Sequence, residues 1–361
     1  MTSVIHSGKY DIHVGNDTFL QVGKFLGHSH AGAAKVILVD ENTKEHCLPL
    51  IRERVLLLKD ADVITMPAGE QHKTLGTCEN IWNELTRMHA DRRTLLVNLG
   101  GGVVCDTGGF AASVFLRGID FINIPTSLLA MVDSSVGGKT GINYAGLKNQ
   151  VGTFTRPASV FISPVWLRTL PEREIKSGFA EMIKHALISS HDKWEDTRKT
   201  DSLAGIDWIH SIRDSVTLKN KIVNADFHDR HKRKTLNFGH TIGHALESVS
   251  MDHVPLSHGE AVAFGMIGEI FLSQQLLQFP KDSADAICTF IRHHFGYLPF
   301  EPDKQAVIKK MMSDKKNESN QVHVVLLKDI GQPEIRPVGK DLLSMALDFV
   351  VEHTGNAAIA P

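Results

Sequence analysis

At 361 residues, with 42% hydrophobic and 22% charged side chains, the chain has room for two sizeable cores, which excludes a disordered or fibrous protein. A net charge of −2 with histidine neutral gives no overall field toward nucleic acid or an anionic membrane, so any anionic ligand must be captured by a local cluster. Cys47, Cys78, Cys105 and Cys288 are scattered without a CxxC pair, the opening residues carry no basic-then-apolar leader, and no run of about 18 apolar residues occurs, so a cytoplasmic protein is expected.

From Lys35 to Ser163 short β-branched runs alternate with helical patterns. Residues 36–39 end at Asp40, 95–99 run into glycines, 121–124 stop at Pro125, and 160–162 come last. With helical spacing between them, over 78–89 for example, this predicts a mostly parallel sheet covered by helices. Pro171 suits a helix start with acids in its first turn, and helices are predicted over 172–189, 206–223, 236–249 and 258–277. A boundary near 165–172 separates an α/β domain, 1–170, from a helical one, 171–361, to which the apolar run 322–327 adds a possible late strand.

Gly100-Gly101-Gly102 lies between a strand and the helical pattern 103–115. Such a turn lets the backbone approach a phosphate, and the helix start favours an anion, with a dinucleotide pyrophosphate as the natural guest. The spacing is not GxGxxG, and glycine turns also serve close packing. Asp40 and Asn42 stand where an acidic side chain can hold ribose hydroxyls, although an Asp at a strand end is also an ordinary turn residue. Gly137-Gly138-Lys139-Thr140-Gly141 resembles the end of a phosphate loop, but Asp133 stands where that loop needs glycine, which argues against a nucleoside triphosphate. It leaves Lys139, followed by Lys148 and Asn149, suited to a sugar phosphate or a carboxylate, or to a solvated loop.

The run Asn237-Phe238-Gly239-His240-Thr241-Ile242-Gly243-His244-Ala245-Leu246-Glu247 puts two imidazoles at i, i+4 on a predicted helix, and His258-Gly259-Glu260 adds a third. Glu181, among Ala180, Met182 and Ile183, is a charge on an apolar surface that needs a partner or a metal, and Lys184 shares its face. One Glu and two His with positions open to substrate oxygens form a standard catalytic zinc arrangement, and spacing leaves open which histidines bind.

Together, residues 100–106, 125–143, the Glu181 segment, 237–247 and 258–260 resemble the 3-dehydroquinate synthase family, in one order from about Val36 to Lys316. The resemblance implies a Rossmann-like NAD domain, an all-α C-terminal metal-binding domain, an active site formed by both, and a homodimer. It implies conversion of 3-deoxy-D-arabino-heptulosonate 7-phosphate to 3-dehydroquinate and phosphate, by transient oxidation with NAD, phosphate elimination, reduction, ring opening and aldol closure. It also implies Glu181, His240 and His258 as ligands of zinc or cobalt, with His244 facing substrate. Lys139, Asn149, Lys184, His244 and Lys315 (or Lys316) match phosphate and substrate ligands, and Arg117 one that reaches the phosphate of the neighbouring subunit. Lys219, Arg233 and Asn237 match residues holding the carboxylate and ring hydroxyls, with Asp133 and Lys148 nearby. For NAD the matching positions are Asp40, Asn42, Glu70, Lys73, Gly101, Gly102, Val103, Asp106, Thr126, Ser127, Lys148 and Thr169.

Cys105 and Ser127 depart from the family's usual glycine and threonine, as does the loop 226–231 leading to Arg233. Related cyclases that take sedoheptulose 7-phosphate share the architecture but not the carboxylate, so Lys219 and Arg233 favour the shikimate substrate. The phosphate-binding lysines likewise argue against a metal-dependent alcohol dehydrogenase.

Overall fold

A computed structural model describes residues 2–312 and 321–355. The chain forms two compact units, Met1–Pro171 with Asp207–His228, and Glu172–Ile206 with Asp229–Pro361. The chain leaves the first unit after Pro171. The segment 207–228, expected in 171–361, instead packs with the first unit. Its polar anchors explain this: on the Trp208–Ala225 helix, buried Lys219 donates to Asp133 and buried Asn220 donates to His6 O at 2.9 Å.

The strands of the first unit are β1 (Ser3–Ser7), β2 (Tyr10–Val14), β3 (Lys35–Asp40), β4 (Asp62–Met66), β5 (Leu95–Gly100), β6 (Phe121–Pro125), β7 (Lys139–Tyr144), β8 (Leu147–Phe154) and β9 (Ser159–Ile162). Seven form one sheet in the order β1-β2-β9-β6-β5-β3-β4, parallel except for the β1–β2 pair, while β7 and β8 make a separate antiparallel hairpin. β5 and β6 are buried along their whole length, as strands covered on both faces are. Because β3 has β4 on one side and β5 on the other, the chain winds outward in both directions from it. A doubly wound sheet opens a ligand crevice at such a switch, beyond the carboxyl ends of the two central strands. Here those ends are Asp40 and Gly100.

The second unit is helical apart from a hairpin of β10 (Val322–Asp329) and β11 (Gln332–Val338), the first of which covers the apolar run read as a late strand. Its His240–Ser250 and His258–Leu277 helices pack backbone against backbone. A Cβ at Gly265 would fall 2.0 Å from Gly239 O, and one at Gly243 would fall 2.7 Å from Ala261 O. The Glu172–Ser189 helix is pressed as closely on the second of these, since a Cβ at Gly259 would lie 2.3 Å from Ser177 Cα. Among the described residues no helix is long and apolar enough to cross a membrane.

The glycine contacts predict a contrast measurable by denaturant unfolding. Gly265→Ala is expected to cost about 3 kcal/mol or more, since backbone cannot yield as a side chain does. Gly23→Ala, on the Thr18–Ser29 helix with nothing within 4 Å of the added carbon, is expected to gain about 0.5–1 kcal/mol.

Candidate active site

In the second unit, local structure fixes each imidazole. Ser257 caps its helix through a reciprocal box, Ser257 Oγ accepting from Glu260 N and Glu260 Oε2 from Ser257 N at 2.7 Å, so His258 occupies the first helical position. Arg173 donates to Glu260 through Nε at 3.0 Å and Nη2 at 2.7 Å, and Gly259 N donates to Ser177 Oγ at 3.0 Å. Glu181 sits one helical turn beyond Ser177, so the docking that seats His258 also brings Glu181 to it. His240 opens the other helix after Gly239, whose φ of 80° favours glycine.

The ring nitrogens then sort themselves. His240 Nδ1 lies 3.1 Å from Phe238 O, an acceptor only, so Nδ1 carries the proton and Nε2 offers a lone pair. That Nε2 is 3.5 Å from Glu181 Oε1, and His258 Nε2 is 3.3 Å from the same oxygen. The Nδ1 of His258 faces Glu247 Oε2 at 3.9 Å. His244, exposed one turn along, has its ring centroid 5.1 Å from that of His240 and 5.6 Å from that of His258. Glu181 has no exposure, and its Oε2 pairs with the buried Lys184 ammonium. Neither oxygen takes a well-directed hydrogen bond.

Charge follows geometry. Burial pushes the Glu181 carboxyl up, but Lys184, His240 and His258 together hold it well below the usual carboxylate range. Burial and then Lys184 keep His240 neutral, well below an ordinary imidazole. Burial also opposes charge on His258, but Glu181 and Glu247 outweigh it and lift the group to about 9. An ionised, buried carboxylate faced by two Nε2 atoms is a donor set that fits a divalent cation of the zinc type. The rings of His240, His244 and His258 also approach one another closely enough to share an ion.

In the first unit, the Gly102–Val114 helix starts from Gly101 with no side-chain cap. A Cβ at Gly101 would lie 3.4 Å from Ser127 Oγ and one at Gly102 would lie 3.0 Å from Ser134 Oγ, so side chains here would fill the approach to the free amides. Across the crevice Asp40 is itself a helix cap, its Oδ1 accepting from Thr43 N at 2.7 Å. Thr126 N donates to Gly100 O, and Ser127 Oγ accepts from Ala130 N. Buried Lys73 donates to Asp106 Oδ2 and to Asn149 Oδ1, both at 2.6 Å. Asn143 completes the group, its Oδ1 accepting from Asn149 N at 2.9 Å and its Nδ2 donating to Glu70 Oε1 at 2.9 Å. Burial works against the Lys73 charge, yet Asp106 and Glu70 hold its pKa above the ordinary value. Burial raises that of Asp106 despite Lys73.

Asn149, expected at substrate, therefore shares Lys73 with the expected nucleotide residue Asp106. Lys219 donates to Asp133 Oδ1 at 2.5 Å, on a π turn over Ala130–Ser134. Asn42, Arg117, Lys139, Lys148 and Thr169 lie at the surface of this unit, and Val103 is half-buried. Arg117 is backbone-strained, with Leu116 at φ 50° and Arg117 at φ 68° before Gly118. In the second unit Arg233 is buried and Asn237 half-buried on the turn that leads to His240. Lys315 and Lys316 lie outside the described residues. Sequence reasoning gave no role to Glu247 or to Glu269, whose carboxylate accepts from the amides of Gly239, Thr241 and Ile242. The available signal for Glu269 was an acid standing alone in the apolar run 261–272.

Two family models match the chain, 3-dehydroquinate synthase N-terminal over residues 63–177 and 3-dehydroquinate synthase C-terminal over 178–317. A 3-dehydroquinate synthase of Parabacteroides distasonis is 44% identical, covering 88% of this chain and 92% of its own. The crystal structure of 2-deoxy-scyllo-inosose synthase complexed with carbaglucose-6-phosphate, NAD+ and Co2+ is similar with a TM-score of 0.86 and 25% identity, covering 96% of this chain and 99% of that one. The fold is also that of 2-epi-5-epi-valiolone synthase from Streptomyces hygroscopicus, solved with NAD+ and Zn2+, at a TM-score of 0.77 and 22% identity over 98% and 99% of the two chains.

The ring charges predict a proton count. Cobalt(II) added to metal-stripped protein at about pH 7 is expected to displace about one proton, from His258, because His240 is already neutral. Release should shrink as pH rises through the raised pKa. Calorimetry in buffers of different ionisation enthalpy measures it, and zero release at about pH 7 would contradict these charge states.

Proposed function

The chain belongs to the 3-dehydroquinate synthase family, and from that premise we propose that it converts 3-deoxy-D-arabino-heptulosonate 7-phosphate to 3-dehydroquinate and phosphate, using NAD and a divalent metal such as zinc or cobalt. The observation that carries this reading is the convergence of His240 Nε2 and His258 Nε2 on the ionised Glu181. When bound, NAD supplies a reversible hydride acceptor for the substrate's C5 carbinol and the metal a Lewis acid for its oxygen.

Glu181, His240 and His258 hold the metal, and Glu247 steadies the far nitrogen of His258. His244, outside that set and exposed, faces substrate and holds or passes a proton at its oxygens. Lys139, Asn149 and Lys184 orient the phosphate dianion. As the C–O bond breaks, an oxygen of the phosphate itself takes the proton from the neighbouring carbon, so these residues act by position and charge instead of as bases. Lys219, Arg233 and Asn237 receive the carboxylate and ring hydroxyls, with Asp133 fixing Lys219 and Lys148 beside them.

The amides of the Gly101 and Gly102 turn receive the pyrophosphate, and Asp40 and Asn42 the ribose hydroxyls at the sheet switch. Glu70, Lys73, Val103, Asp106, Thr126, Ser127 and Thr169 complete the nucleotide contacts, the Lys73–Asp106 pair acting as a braced charge. We also propose a cytoplasmic homodimer, with Arg117 serving the neighbouring subunit's phosphate and four free, buried cysteines suited to a reducing compartment.

Purified protein with the heptulosonate phosphate, a trace of NAD and zinc is expected to release phosphate without accumulating NADH. Sedoheptulose 7-phosphate, lacking the carboxylate, should release far less. No phosphate from the first substrate at full metal occupancy would overturn the reading. Glu181→Ala is expected to lose metal, whereas His244→Ala should keep it and lose about 10²–10⁴-fold in kcat. Equal metal loss in both variants would put His244 among the ligands instead.

A further inference from the structure

The His240 helix has no side-chain cap of its own, yet its first amides are met from another helix. Glu269, with no exposure, accepts from Gly239 N at 2.6 Å through Oε2 and from Thr241 N at 3.1 Å and Ile242 N at 3.5 Å through Oε1. Gly265, one turn earlier on the same helix, makes this reach possible, because any side chain there would strike Gly239 O. Gly239 N–H and Phe238 C=O are the two ends of one peptide plane, and Phe238 O is the acceptor that fixes His240 Nδ1 at 3.1 Å.

We propose that Glu269 is a positioning residue for His240, acting through the 238–239 peptide: its carboxyl group clamps the N–H end, and the carbonyl end orients the imidazole so that Nε2 faces Glu181. Metal-bound histidines commonly give their second N–H to a carboxylate or carbonyl, which sets the ring's direction and basicity. In this chain a carboxyl group and a carbonyl are linked in series by one amide, and an acceptor on the N–H end polarises the peptide and strengthens the carbonyl as an acceptor. The same side chain satisfies otherwise uncapped amides at the start of the helix that His240 opens. Burial pushes Glu269 up to about 8, against the pull of the amides of Gly239, Ile242 and Thr241.

The inference rests on His240 being a metal ligand, and the test separates the two. Glutamine at 269 keeps the shape but has one acceptor oxygen where two are used, so at least one amide loses its partner. Glu269→Gln is expected to bind cobalt(II) about 10–100-fold more weakly in a chelator competition, with a shifted cobalt visible spectrum. His240→Ala, in the same assay, should bind more weakly still. If Glu269→Gln matched the wild type in affinity and spectrum while His240→Ala lost metal, the positioning role would be overturned, whatever the change in melting temperature. If His240→Ala bound cobalt normally, the ligand assignment itself would fall. A second measurement needs no variant: in metal-stripped wild-type protein the amides of Gly239, Thr241 and Ile242 should be protected from hydrogen exchange, and fast exchange at Gly239 would contradict the clamp.

Discussion

The second unit is organised around one buried negative charge. A carboxylate without solvent is costly unless cations or directed donors meet it, and Glu181 is met by a lysine on its own helix and two imidazoles from the starts of two others. That requirement explains the tight backbone packing at Gly243, Gly259 and Gly265. Side chains at those positions would hold the helices apart and leave the charge stranded. Since one Lys184 ammonium reaches only one oxygen, the other is left facing imidazole nitrogens, an arrangement that a divalent cation satisfies better than protons do.

The first unit solves a different problem by topology. Winding outward in both directions from β3 leaves the ends of β3 and β5 with no crossover above them, and the chain places an acidic cap on one and an uncapped glycine helix start on the other. The Lys73, Asp106, Asn149, Asn143 and Glu70 network joins the β7–β8 hairpin to the sheet region. Residues that separate into nucleotide and substrate ligands by motif are thus one hydrogen-bonded group.

Much of this was legible in the sequence, for physical reasons. Strand runs ending at Asp40 and at Gly100 announced the sheet but not its strand order or switch, which rest on pairing between distant segments, and a lone Glu181 amid Ala180, Met182 and Ile183 announced a buried charge. The i, i+4 histidines announced a shared helix face but could not say which nitrogen points where, because that depends on Phe238 O and Glu247. Nor could spacing show that 207–228 returns to the first unit, since its anchors, His6 and Asp133, are distant in the chain. Glu269 escaped notice because its partners are backbone amides, which carry no residue signature.

We propose that Glu181, His240 and His258, and not the three histidines, hold the metal. X-ray absorption fine structure of the cobalt- or zinc-loaded protein separates the two ligand sets. Two imidazoles with oxygen ligands making up the remainder of the shell is the expected result, and a shell fitted by three imidazoles would contradict it.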